Sequence, residues 1–201
     1  MIGVSNRRAE YAAATRAAIH TAARDLFLTK GYVATTVDDI AAEARVAPAT
    51  VYAVGGGKQK LLRAVVEDAV ATSVGSGIYD LLDAAPDADA LLRLIAGNTR
   101  VRYERWRDVM RVVAAIAGHE PAAAEAQEKA RNAMRHGFER TARRLADLKA
   151  LPPGVDERRA TDLLWFYLNN ASYNALTDDN GWTLDDAEQW LLDTLRRTLL
   201  R

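Results

Sequence analysis

Catalysis has little to stand on in this chain, which has three histidines and no cysteine. His20, His119 and His136 are isolated from one another, and Pro121 two residues after His119 blocks the helical His-Glu-x-x-His register of a zinc hydrolase. There is no cysteine, which removes thiolate nucleophiles, disulfides and thiolate metal sites and suits a reducing compartment. Gly55-Gly56-Gly57-Lys58 has the small residues and the cation of a phosphate-binding loop. Gln59 stands where that loop needs Ser or Thr, the glycine spacing fails, and no strand precedes it. No nucleophile–base pair is evident, so we expect no catalytic residues, no metal, no cofactor and no enzyme.

What remains is non-covalent chemistry, concentrated between Thr36 and Lys58. Tyr52 carries a hydroxyl able to reach a phosphate while its ring packs, and Lys58 places an ammonium at the start of a helix, where the helix dipole also favours an anion. The elements around them read clearly. Thr36 followed by Asp39 is a capping-box-like start for a short helix whose apolar stripe is Val37, Ile40, Ala41 and Ala44. Arg45-Val46-Ala47 interrupts it, and Pro48 suits the first position of a second short helix running to about Val54. Two short helices joined by a tight turn make a helix-turn-helix, and the second must start with little bulk to approach base edges in the major groove. Ala47-Pro48-Ala49-Thr50 meets that requirement.

The rest of the chain supports an all-α protein. Apolar residues recur at intervals of three and four, without the strict alternation of a half-buried strand. The pattern predicts a first helix from about Arg8 to Thr29, with Ile19, Ala22, Ala23, Leu26 and Phe27 on one face and Gly31 as its stop. Lys58 to Val74 reads as another helix, with Leu61, Leu62, Val65, Val66, Ala69 and Val70. Gly75-Ser76-Gly77 looks like a boundary, dividing a helix-turn-helix domain over 1–73, its motif at about 36–55, from a larger helical domain over 74–201. Further helices are expected near 87–106, 108–117, 121–149, 156–177 and 184–200.

Composition sets outer limits. The chain has 201 residues, 49% hydrophobic and 27% charged, enough to bury a core. The formal net charge is zero, but residues 1–70 hold nine Lys or Arg against seven Asp or Glu, so the small positive balance lies at the helix-turn-helix end. No apolar run approaches a membrane span, and MIGVSNRRAE lacks a signal peptide's apolar stretch, so a cytoplasmic protein without a membrane partner is expected.

Two C-terminal helices carry more apolar surface than one domain needs. The run Leu163-Leu164-Trp165-Phe166-Tyr167-Leu168 is apolar on every side. The last helix, opened by a Thr183 cap with Asp186 three residues on, spreads Leu184, Trp190, Leu191, Leu192, Leu195, Leu199 and Leu200 over more than one stripe. Two faces imply two neighbours, so a homodimer through helices of about 156–177 and 184–200 is expected. Arg100, Arg102, Arg105, Arg107 and Arg111 could hold an anion but read first as a solvated face.

From Arg16 to Leu62 the chain resembles the N-terminal domain of the TetR family of bacterial regulators. The residues that carry the resemblance are Arg16, Ile19, Ala22-Ala23, Leu26-Phe27, Gly31-Tyr32, Thr35-Thr36-Val37, Asp39-Ile40-Ala41, Ala44, Val46, Thr50-Val51-Tyr52, Lys58 and Leu61. It implies DNA contacts by Thr36, Thr50, Tyr52 and Lys58, and the set expected to meet DNA is Thr35, Thr36, Arg45, Ala47, Pro48, Ala49, Thr50, Tyr52 and Lys58. Three positions depart from the family pattern. Arg45 replaces the usual turn glycine, Ala47 a frequent Ser or Gly, and Val54-Gly55 the usual His-Phe pair.

The resemblance further implies a ligand cavity among the middle helices, with Tyr103, Trp106, Met110, Met134, Phe138, Trp165, Asn169 and Tyr173 as candidate lining. The function it implies is a transcriptional regulator, a dimeric repressor released from double-stranded operator DNA by a small-molecule effector. The alternative is a helical ligand-binding protein whose helix-turn-helix no longer binds specific DNA.

Overall fold

The computed structural model describes the backbone of residues 3–73 and 77–201 and the side chains of residues 9–68 and 77–201. Val74, Gly75 and Ser76 and the side chains of Ala69 and Val70, named above, lie outside the described residues. Among these residues the chain is helical, with no strand. The helices are α1 Gly3–Thr29, α2 Val37–Glu43, α3 Pro48–Thr50, α4 Lys58–Ser73, α5 Ile78–Asp83, α6 Ala88–Ile116, α7 Pro121–Asp147, α8 Glu157–Leu168, α9 Asn170–Asn174 and α10 Leu184–Leu199. α3 and α9 each run on into a wider π-helical turn, Val51–Gly55 and Ala175–Asp179. No described helix is long and apolar enough to cross a membrane.

The helices form two compact units that do not follow chain order. One comprises Met1–Ala69 with Asp108–Ala130, the other Val70–Arg107 with Arg131–Arg201. α6 and α7 each contribute residues to both units. In the first unit α1 packs on α2 and on the turn after α3. The buried residues there include Ile19, Ala23 and Phe27 of α1, Ile40 and Ala41 of α2, Val51, and Leu61, Leu62, Val65 and Val66 of α4. Burying each large aliphatic side chain contributes about 1.5 to 3 kcal/mol, which is what holds such short helices in place. In the second unit one cluster joins Leu91, Leu92, Ile95 and Tyr103 of α6, Phe138 and Leu145 of α7, Leu164 and Leu168 of α8, Tyr173 of α9, and Leu191, Leu195 and Leu199 of α10.

Several boundaries differ from the sequence-based expectation, each for a local reason. The helices expected at 87–106 and 108–117 are one 29-residue helix, α6. Arg107-Asp108 offers no breaker, and buried Tyr103, Trp106, Val109 and Val113 continue one stripe through it. α5 went unseen because six residues are too few to show a period.

The helix expected at 156–177 is broken at Asn169, whose backbone is extended (φ −77°, ψ 168°). Asn169 Oδ1 accepts from the Ser172 N–H at 3.0 Å, and its Nδ2 donates to the carbonyls of Trp165 at 2.9 Å and Phe166 at 3.1 Å. One amide side chain therefore caps the start of α9 and the end of α8, the competition with helical backbone for which asparagine is suited.

Candidate functional site

The helix-turn-helix begins with a reciprocal cap. Thr36 Oγ1 accepts from the Asp39 N–H at 3.1 Å, and Asp39 Oδ2 accepts from the Thr36 N–H at 2.8 Å. The Thr36 hydroxyl also donates to Asp39 Oδ2, at 2.8 Å, and Lys30 Nζ lies 2.5 Å from the same oxygen. The Lys30 ammonium first, then the Thr36 amide and hydroxyl, hold the Asp39 carboxyl down at about 2. Thr36 is exposed, but its hydroxyl proton is engaged in the cap and must rotate away to meet a phosphate.

α2 ends in a Schellman motif. The Val46 N–H donates to the Ala41 carbonyl at 2.9 Å and the Arg45 N–H to the Ala42 carbonyl at 3.2 Å. That geometry requires a left-handed residue, and Arg45 supplies it at φ 57°. A side chain in place of the turn glycine thus accepts the left-handed backbone without another residue taking over the turn. Ala47 then turns extended (φ −72°, ψ 146°) as the N-cap of α3 without a side-chain hydrogen bond, and Pro48 opens the helix. Ala47, Pro48 and Ala49 are exposed, Thr50 is half-buried, and Tyr52 is 60% exposed. The start of α3 thus presents small side chains to solvent beside one projecting hydroxyl.

Gly55 has a packing reason. A Cβ there would stand 3.0 Å from Leu61 Cδ2 and 3.4 Å from Ile19 Cγ2, so the π-helical turn brings the backbone against the core where a side chain would crowd both residues. Gly56 closes the turn in the left-handed region at φ 70°.

Two expected contact residues serve the domain itself. Thr35 is 1% exposed, and its hydroxyl donates to the Gly31 carbonyl at 2.7 Å, which clamps the loop after α1. Lys58 is half-buried; its Nζ donates to the Tyr32 carbonyl at 3.0 Å and lies 4.4 Å from the centre of the Tyr32 ring. Tyr32, in turn, stacks at a tilt on Phe27. Burial first, then the Glu120 carboxylate, push its phenol up to about 12.

Glu120 also accepts from Gln59 Nε2 at 3.0 Å, and Arg63 pairs with Glu125 and Lys129 with Glu67. Residues at the start of α7 therefore grip α4 within this unit. His20 is half-buried, and burial lowers its pKa against an opposing pull from Asp68.

Seven of the eight candidate ligand residues fall in the second unit; Met110 falls in the first. Tyr103, Trp106, Phe138 and Tyr173 are buried, while Met134, Trp165 and Asn169 are half-buried. Tyr103 and Tyr173 stack at 4.8 Å, and Phe138 and Trp165 meet edge-on at 6.4 Å. The Tyr103 hydroxyl donates to Asn174 Oδ1 at 2.7 Å and is 3.1 Å from Thr177 Oγ1. Asn169 is committed to the break between α8 and α9.

A surface cleft of about 690 Å³ in the same unit lies elsewhere, between Ala146, Lys149 and the segment Leu151–Arg158. Sequence reasoning missed Asn170, Asn174 and Thr177 as polar partners. Their signal was polar side chains recurring within an otherwise apolar helical stretch.

The capped α2, the tight turn and the small-faced α3 have the geometry of a helix-turn-helix. Residues 19–65 match the model of the family described as bacterial regulatory proteins, tetR family. A comparison with curated protein sequences gives no match.

Among solved structures, SmeT, the repressor of the Stenotrophomonas maltophilia multidrug efflux pump SmeDEF, is similar at 22% identity and TM-score 0.74, over 92% of this chain and 90% of that one. A transcriptional regulator from Saccharomonospora viridis in complex with choline has TM-score 0.75 at 19% identity, over 92% and 97%. The fatty acid degradation regulator FadR from Bacillus halodurans has TM-score 0.71 at 16% identity, over 90% and 93%. At these identities the likeness is one of fold, and it extends over both units of this chain.

Proposed function

We propose that the protein is a dimeric transcriptional repressor that occupies operator DNA and is released by a small-molecule effector, acting in the cytoplasm without enzymatic activity. The observation that carries this reading is the exposed, small-faced start of α3 within a segment that matches the tetR family. Ala47, Pro48 and Ala49 allow close approach to the major groove, Thr50 reads base edges, and Tyr52 and the remaining donor capacity of Lys58 serve phosphates. Arg45, exposed in the turn, adds a cation at the same end.

Dimerisation supplies the two half-sites, about 34 to 36 Å apart on a palindromic operator. Phe166 on α8 and Trp190 on α10, exposed in the single chain, support the expected interface there. α6 and α7 contribute to both compact units, so a ligand bound among their C-terminal-domain residues acts on helices that also reach the first unit. The effector works only through unequal affinity for two conformers, with a coupling of about 1 to 3 kcal/mol typical of such systems.

The test is fluorescence anisotropy on DNA flanking the gene, titrated against bulk competitor at moderate salt. Specific binding at a palindromic segment with two chains per site is expected. If no fragment outcompetes bulk DNA, the regulator reading fails, and a helical ligand-binding protein with an idle helix-turn-helix takes its place. The internal engagement of Thr36 and Lys58 is the observation on that second side.

A further inference from the structure

Arg100 and Arg102 stand two residues apart on α6 and meet opposite fates. Arg100 is neutralised by α10, with Asp185 at 2.7 Å and Glu188 at 3.6 Å. The Arg102 Nη1 donates to the neutral Asn170 Oδ1 at 3.1 Å, while its Nη2 is out of contact with solvent and has no hydrogen-bond partner. Among the described ion pairs, no carboxylate lies within 4.0 Å of it. Burial lowers the guanidinium to about 10, which still leaves it charged at neutral pH.

Besides Arg102 and the Nε atoms of Arg100, Arg140 and Arg144, the described donors buried without an acceptor in the same unit are those of Tyr173 and Trp106. Tyr173, stacked on Tyr103, has a buried hydroxyl with no partner, and burial raises its pKa so that it stays a neutral donor. Trp106 follows Arg102 by four residues, on the same face of α6, and its Nε1 is likewise buried and unmatched. Guanidinium and indole can only donate, so these groups lack acceptors that the protein does not supply. Arg102 as a residue is half-buried, but a guanidinium nitrogen held out of water with no acceptor is disfavoured unless something else completes it.

We propose that Arg102, the Tyr173 hydroxyl and Trp106 Nε1 form an anion site that holds the carboxylate of a small organic acid, which makes such acids the effector class. This rests on the effector reading above. A carboxylate offers two oxygens and about four lone-pair directions and can accept two parallel bonds from a guanidinium. A neutral alcohol offers one oxygen, and a cation is repelled by Arg102. The stacked Tyr103–Tyr173 pair supplies an apolar flank for the acid's body.

The experiment measures thermal shift and calorimetric binding on the full-length dimer with acetate, butyrate, hexanoate, octanoate and benzoate, each beside its neutral amide. At least one acid should raise Tm in a saturable way while its amide does not. Arg102→Met should reduce that acid's affinity at least tenfold, Arg102→Lys should retain part of it, and Arg143→Gln, an exposed arginine of the same unit, should leave it unchanged. Because Arg102→Met removes a buried donor that has no acceptor, it should hold or raise the Tm of the ligand-free protein. A lowered Tm with unchanged acid binding makes Arg102 purely structural and overturns the site. No acid binding across the series, or amides binding as well as acids, also overturns it.

Anisotropy on operator DNA separates this inference from the one beneath it. An acid that binds through Arg102 without changing DNA affinity keeps the anion site and removes the effector reading. Amides that release DNA where acids do not keep the effector reading and remove the anion site.

Discussion

The Lys58 ammonium donates to the Tyr32 carbonyl across 26 residues of sequence and sits over the ring of the same tyrosine. One side chain thereby ties the start of α4 to the loop after α1. Bonds from a charged donor are worth about 1.5 to 3 kcal/mol when well made, and partial exposure reduces that here. Lys58→Ala is expected to lower stability by about 1 to 2 kcal/mol by that reasoning, read as a shift in urea midpoint. It should also weaken DNA binding on every sequence and reduce the salt slope by about one. Loss of DNA affinity with no stability change would mean that the carbonyl contacts contribute nothing in solution.

Arg45 gives the opposite sign. A non-glycine residue in the left-handed region costs roughly 1 to 2 kcal/mol, against which glycine loses about 0.4 to 1 kcal/mol through the freedom of the unfolded chain. Arg45→Gly is therefore expected to stabilise the protein by up to about 1 kcal/mol, measured by chemical denaturation. If Arg45 meets DNA as proposed, the same variant binds operator more weakly. A substitution that raises stability and lowers affinity together would separate the two roles of one residue.

Legibility in the sequence followed the range of the forces involved. The Thr36–Asp39 cap, Pro48 at the start of α3 and the Thr183 cap of α10 were readable because each depends on residues three or fewer apart. The left-handed backbone at Arg45 was readable because the resemblance marked the position. The engagement of Lys58 with Tyr32 and the clamp made by Thr35 were not readable as such, since each depends on where distant backbone carbonyls come to rest. Arg102 shows the same limit more sharply. In sequence it is one of five arginines in a charged run, and only the packing of α6 against α9 distinguishes it from Arg100.

Acid should loosen the start of α2. Asp39 has its carboxyl depressed to about 2 in the folded protein, from an ordinary 3.8. The stability it contributes is thus fully present above the unfolded value and is lost as pH falls toward the folded one. Wild type should melt above Asp39→Asn at pH 5, and the difference should shrink between about pH 4 and pH 2. Added salt should narrow the gap at pH 5, because the Lys30 ion pair is exposed. A gap that is constant with pH would assign the effect to the neutral hydrogen bonds alone.

Phe166 is 65% exposed although its neighbours Leu164 and Leu168 are fully buried. If α8 forms half of a dimer interface, a charge there is desolvated on association. Phe166→Glu should then raise the dimer dissociation constant by roughly 30-fold, the equivalent of a 2 kcal/mol hot spot. Sedimentation velocity over a concentration series reads this directly. Near-unchanged far-ultraviolet circular dichroism is expected, because the side chain lies outside the buried cluster. An unaltered dimer would move the interface away from α8.

Asn169 performs two jobs that different substitutions can separate. Its carbonyl oxygen caps α9 by accepting from Ser172, and its amide donates to the Trp165 and Phe166 carbonyls at the end of α8. Asn169→Asp retains the acceptor and loses both donor bonds, while Asn169→Ala loses everything and also favours helical over extended backbone. The alanine variant should cost about 1 to 2 kcal/mol, with the loss of the cap alone worth about 1 kcal/mol, and the aspartate variant should fall between it and wild type. Denaturation midpoints give that order. Tyr173 and Asn170 lie in the first turns after the break, so the alanine variant should also reposition them relative to Arg102 and weaken acid binding. The aspartate variant, with its cap kept, should weaken it less. Equal stability of all three proteins would mean that the break between α8 and α9 is set by packing of Leu168 and Tyr173, and not by the asparagine.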